Sequence, residues 1–145
     1  YPLLPIAKLL GTDYLNINIY SRMNDNGVDV YTRGVIMHQK AVSSFQLGLG
    51  VKTEGDLVVS GTKGYVYVPS PWWKTDYFEL RYEDQNSNKK YFYSWNEPGL
   101  RYEIREFVSC IINERTVSSR MTPKESICIA GIMEQFIDRK NVFEI

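Results

Sequence analysis

At 145 residues the chain is long enough for one domain with a proper core, since a fold of this size buries about 68–70% of the surface its unfolded chain exposes. Hydrophobic residues make up 43% and charged residues 23%, the balance of an ordinary globular protein. Seventeen basic residues offset seventeen acidic ones, which argues against a phosphate-binding basic face and against anionic membrane surfaces, so neither nucleic acid nor membrane is expected as a partner.

No apolar run approaches the ~20 residues that cross a bilayer, and no signal peptide opens the chain. The first residue is Tyr1 rather than Met, so the start reads as a cut boundary. Cys110 and Cys128 are too few for a disulfide framework and sit among apolar neighbours in helical patterns. They are expected to be reduced, mostly buried thiols of a cytoplasmic protein. Aromatic content is 14%, with eleven Tyr and three Trp. Such residues favour strands and interfaces, a first hint of a sheet with a working face.

Residues 1–10 carry Leu3, Ile6, Ala7 and Leu10 at helical spacing, and Gly11 is a natural stop. Pro2 and Pro5 are tolerable only in a first turn. With Tyr1 leaving no room for a cap, this helix is expected to have lost its beginning. Tyr14 to Met23 alternates as a strand, with Leu15, Ile17 and Ile19 on one face. Asn24-Asp25-Asn26-Gly27 is a hairpin turn, because Asn and Gly accept positive φ cheaply. Val28 to His38 returns, and Ala41 to Leu49 follows. Asp56 to Ser60 and Tyr65 to Val68 flank a tight Gly61-Thr62-Lys63-Gly64 turn. Tyr77 to Glu83 and Lys89 to Trp95 form a third hairpin.

The chain then turns helical. Leu100, Ile104, Phe107, Val108 and Ile111 share one stripe. Thr122-Pro123-Lys124-Glu125 is a capping box with Pro at the first helical position. Ile129, Ile132, Met133 and Phe136 mark the next buried face. One helix, about seven strands and two helices predict an α+β fold, an open and mainly antiparallel sheet with helices on one face.

Few residues carry an obvious chemistry. Gly48-Leu49-Gly50 follows a strand but leads into another strand, so it reads as a bulge or bend, not as a dinucleotide turn. The lone His38 and the two distant Cys have no zinc spacing, and no metal site is expected. His38 reads as a solvated strand-end residue. No nucleophile elbow accompanies any Ser. Glu79, Arg81 and Glu83 alternate against Phe78, Leu80 and Tyr82, the pattern of a strand with one solvated or ion-paired face; Asp84 and Glu97 add carboxylates nearby. Trp72, Trp73, Tyr77, Tyr91, Tyr93 and Trp95 cluster around the third hairpin. Such rings suit a protein interface or core, and also the apolar face of a sugar.

Asp56 to Tyr65, with its Ser60-Gly61-Thr62-Lys63-Gly64-Tyr65 core, resembles the GxLxIxGTKGxI hairpin of the glucose–fructose oxidoreductase/inositol dehydrogenase/rhizopine catabolism (Gfo/Idh/MocA) family. Pro71-Trp72-Trp73-Lys74, Tyr77 to Tyr82, Gly99 to Ile104 and Met121 to Ser126 extend the resemblance over essentially the whole chain. It implies the sheet-rich C-terminal domain of an NAD(P)-dependent oxidoreductase, akin to the C-terminal domain of glyceraldehyde-3-phosphate dehydrogenase, with the Rossmann domain absent. Residues 1–145 would then be a single substrate-binding and dimerisation domain, truncated at its N-terminal helix.

The resemblance also implies roles. Tyr1 aligns with the family's His/Tyr position and would be the catalytic acid/base group beside the reacting hydroxyl, once a neighbouring Lys lowers its pKa. That Lys and the helix Asp are absent here. Trp72, Trp73 and Tyr77 are candidate substrate contacts. No cofactor-binding residue is expected in this chain; NAD or NADP would belong to the intact enzyme, which acts on a sugar, polyol or related diol. A homodimer through the sheet face is expected, and the isolated chain should be inactive. Two other readings stay open: a stand-alone carbohydrate-binding module and a purely structural dimerisation domain.

Overall fold

Eight strands and three helices appear in the computed structural model, which describes residues 1–94 and 99–145. Trp95 and Glu97, both singled out from sequence, lie outside the described residues. The order is α1 (Leu3–Leu10), β1 (Asn16–Met23), β2 (Asp29–Met37), β3 (Val42–Gly48), β4 (Leu57–Gly61), β5 (Gly64–Val68), β6 (Tyr77–Arg81), β7 (Lys89–Phe92), α2 (Gly99–Ile112), α3 (Pro123–Ile137) and β8 (Val142–Glu144). The α+β class and the antiparallel hairpins are as the sequence predicts.

The strands divide into two sheets of four, ordered β3-β2-β1-β8 and β4-β5-β6-β7. The chain correspondingly forms two compact units, Tyr1–Thr53 with Ile104–Ile145, and Glu54–Glu103. The expected meander therefore breaks after β3. There the amides of Leu49 and Gly50 both donate to the Val30 carbonyl, at 3.0 Å each, and turn the chain back on β2. This bend is what Gly48-Leu49-Gly50 does.

In the first unit, β1 and β2 are joined by the expected turn. The Asn24 side-chain oxygen accepts from the amides of Asn26 (3.0 Å) and Val28 (2.9 Å), and Gly27 takes φ 74°. Strand alternation sends Ile17, Ile19 and Ser21 of β1 and Thr32, Gly34 and Ile36 of β2 to one face. Helix α3 lays Ile132 on that face, with Cys128 and Phe136 beside it, and Leu3 and Ile6 of α1 join them. Leu15, grouped with Ile17 and Ile19 by alternation, lies just before β1 and is exposed, whereas those two are buried. Met133, expected on the buried face of α3, is also exposed; the inward stripe runs through Cys128, Ile132 and Phe136 instead.

Strand β8 was not anticipated. It adds to β1 in parallel, Ile19 facing Val142 and Ser21 facing Glu144. Three residues are too short for a periodicity signal. The chain reaches this strand through Arg139 and Asn141, both at positive φ.

The capping box forms in full: the Thr122 hydroxyl accepts from the Glu125 amide, and the Glu125 carboxylate accepts from the Thr122 amide at 2.7 Å. Glu125 also receives Lys8 Nζ at 2.8 Å, which ties α3 to α1. The Lys8 hydrogen bond first, then the Thr122 amide, depress its carboxyl from 4.5 to about 2. A carboxyl pKa lowered by folding contributes stability above the unfolded value, and that contribution fades as pH falls toward the folded one. Glu125→Gln is therefore expected to lower the denaturation midpoint at neutral pH. The gap to the parent should shrink between pH ~4.5 and ~2. Urea titrations across that range check it; a gap independent of pH would contradict the assignment.

Candidate functional site

The second sheet concentrates the unusual chemistry of this chain. Its register places Tyr65 opposite Arg81, Tyr67 opposite Glu79, Glu79 opposite Lys90 and Tyr77 opposite Phe92. Because side chains alternate along a strand, these seven residues share one face. Leu57, Val59, Val66, Val68, Phe78, Leu80 and Tyr91 take the other.

The first face is laced by cations lying on aromatic rings. Lys90 Nζ stands 3.4 Å from the centroid of Tyr77, and Arg81 Cζ stands 4.2 Å from that of Tyr67 and 5.9 Å from that of Tyr65. Glu79 holds both cations, Arg81 Nε at 2.7 Å and Lys90 Nζ at 3.7 Å. The Tyr65 hydroxyl first, and the Glu79 carboxylate next, push the Arg81 pKa up from its already high value, so this charge is permanent. Cation–π contacts at exposed sites contribute about 0.5–1 kcal/mol each. Tyr65 and Phe92 stay exposed at the margin of the patch. A surface rich in Tyr, Phe and Arg has the composition of a protein interface.

Ser60, Tyr65 and Arg81 line a hollow beside the Gly61-Thr62-Lys63-Gly64 turn, together with Val59, Val66, Leu80 and Tyr82.

The three expected substrate-contact residues fall in two places. Trp72 and Trp73 meet edge to face, their centroids 5.9 Å apart, in the connection between β5 and β6. The Trp72 amide donates to the Gly55 carbonyl at 3.0 Å, which fixes the pair against the approach to β4. Trp73 is 47% exposed. Tyr77 instead belongs to the cation-laced face, its ring covered by Lys90 on one side and packed near Phe92, 6.0 Å away. Tyr91 stacks on Phe78 at 5.1 Å on the opposite face. The aromatic cluster of the sequence is thus distributed over both faces of the sheet. Tyr65, Tyr67, Arg81 and Lys90 were not picked out as site residues, although the alternation of Glu79 and Arg81 did mark a solvated or ion-paired face.

Tyr1 precedes α1 and is exposed; its carbonyl accepts from the Leu4 amide at 3.1 Å. His38 departs from expectation. It is buried, 9% exposed, because the inward alternation of Thr32, Gly34 and Ile36 continues onto it. Its Nε2 meets the Ser43 hydroxyl at 3.2 Å, and Nδ1 is buried without a hydrogen-bond partner among the described residues. The cysteines are free and half-buried. Burial raises the Cys128 thiol pKa, and its S–H points to the Thr12 carbonyl.

Among the described residues no cluster of His, Cys, Asp or Glu has the makings of a metal site, and no helix is long and apolar enough to cross a membrane. A dinucleotide does not fit the glycine turn present: the amides of Leu49 and Gly50 are spent on Val30, and a strand follows.

The sequence matches no family model and no curated protein. Solved structures do match in fold. The 3-ketoreductase KijD10 from Actinomadura kijaniata, in complex with NADP and TDP-benzene, superposes with a TM-score of 0.81 at 14% identity, over 100% of this chain and 44% of that one. The open conformation of KijD10 gives 0.71 at 13% identity. A Klebsiella pneumoniae chain provisionally described as an oxidoreductase gives 0.65 at 10% identity, over 94% of this chain and 44% of that one. The chain therefore has the fold of somewhat under half of these oxidoreductase chains.

Proposed function

We propose that this chain is the substrate-side and assembly domain of an NAD(P)-dependent oxidoreductase of the Gfo/Idh/MocA type, acting by hydride transfer on a sugar or related polyol. The observation that carries the reading is the fold likeness to KijD10 over the whole chain. The Ser60-Gly61-Thr62-Lys63-Gly64 hairpin resemblance agrees with it. In this reading cofactor and catalytic Lys are supplied from outside residues 1–145. Trp72 and Trp73 face the sugar, Tyr1 is the acid/base group, and the Tyr65–Tyr67–Tyr77–Arg81–Lys90 face pairs two copies. Tyr77, with Lys90 over its ring, is assigned in this reading to assembly and not to substrate contact.

Two measurements test this on the 145-residue chain. Titration with NADPH is expected to give no saturable binding; tight binding would overturn the reading. Sedimentation at several concentrations is expected to show a dimer that Arg81→Glu weakens at least tenfold, while leaving the circular dichroism unchanged. A strict monomer would remove the assembly role.

One observation favours a second reading. The edge-to-face pair of Trp72 and the half-exposed Trp73 has the aromatic character that suits a sugar ring. Saturable glycan binding by this chain alone, lost in Trp73→Ala, would support a stand-alone carbohydrate-binding module instead.

A further inference from the structure

We draw no further inference here: the strongest candidate, the exposed apolar stripe of Ile104, Phe107, Val108 and Ile111 along α2, is an unpartnered helix face, and nothing in the structure shows what covers it.

Discussion

Gly34→Ala is expected to destabilise the first unit by about 1 kcal/mol, although alanine is ordinarily the better residue in a strand. Gly34 lies in the middle of β2, paired with Ile19 on one side and Phe45 on the other. The Phe45 ring folds over it and occupies the space a Cβ would take. That ring packs against the isoleucine core, so pushing it aside disturbs Ile17, Ile19 and Ile36 together. Overpacking of this kind costs about 1–3 kcal/mol, against ~0.5–1 kcal/mol regained from the stiffer unfolded chain. Urea denaturation measures the net. The specific check is a double-mutant cycle with Phe45→Ala: removing the ring should make Gly34→Ala nearly harmless, a coupling of about 1–3 kcal/mol. Strict additivity would mean that the ring does not rest on the glycine.

Gly64→Ala is expected to cost about 3 kcal/mol in the second unit, because the obstacle is main chain. A Cβ there would stand 2.5 Å from the Arg81 carbonyl oxygen and 3.0 Å from Tyr82 Cδ1. A side chain can rotate away; the carbonyl of β6 cannot without parting the β5–β6 ladder. The same movement would unseat Arg81 from Tyr65 and Tyr67, so the variant should also lose dimer affinity if this face assembles subunits. Amide hydrogen exchange at Tyr67 and Glu79, which face each other as a hydrogen-bonded pair across β5 and β6, reads the ladder directly, and faster exchange at both is expected. Gly61→Ala is the control. Its nearest neighbour, the Gly64 carbonyl oxygen, lies at 3.2 Å, so a milder effect is expected there. Equal effects at the two glycines would contradict the steric account.

The hairpins were legible because their signals are local. Asn24 to Gly27, Gly61 to Gly64 and the Thr122–Glu125 box each specify backbone geometry within four residues. Alternation of Ile17 and Ile19 against Asn16 and Asn18 assigns faces without any knowledge of what covers them. The Glu79–Arg81 alternation likewise indicated a strand face that is solvated or ion-paired. What escaped was long-range. Nothing in Val142 to Glu144 announces a strand, since its partner lies in β1, more than a hundred residues earlier. The pairing of hairpins into two sheets depends on which edges meet, a choice local propensity does not make. His38 reads as exposed from its position at a strand end and is buried because the core continues past it. The aromatic cluster reads as one feature along the chain, yet Tyr77 and Tyr91 sit on opposite faces of the sheet.

By itself the sequence determined the α+β class, the hairpins, the capping box and a resemblance that the fold of known oxidoreductases agrees with. Only the tertiary structure decided that the strands form two sheets, that the Phe45 ring lies over Gly34, and that Lys90 and Arg81 lie on the rings of Tyr77 and Tyr67. The reason is range: turns and faces follow from the chemistry of neighbouring residues, whereas sheet order and ring–cation contacts arise only when strands distant along the chain are brought into register.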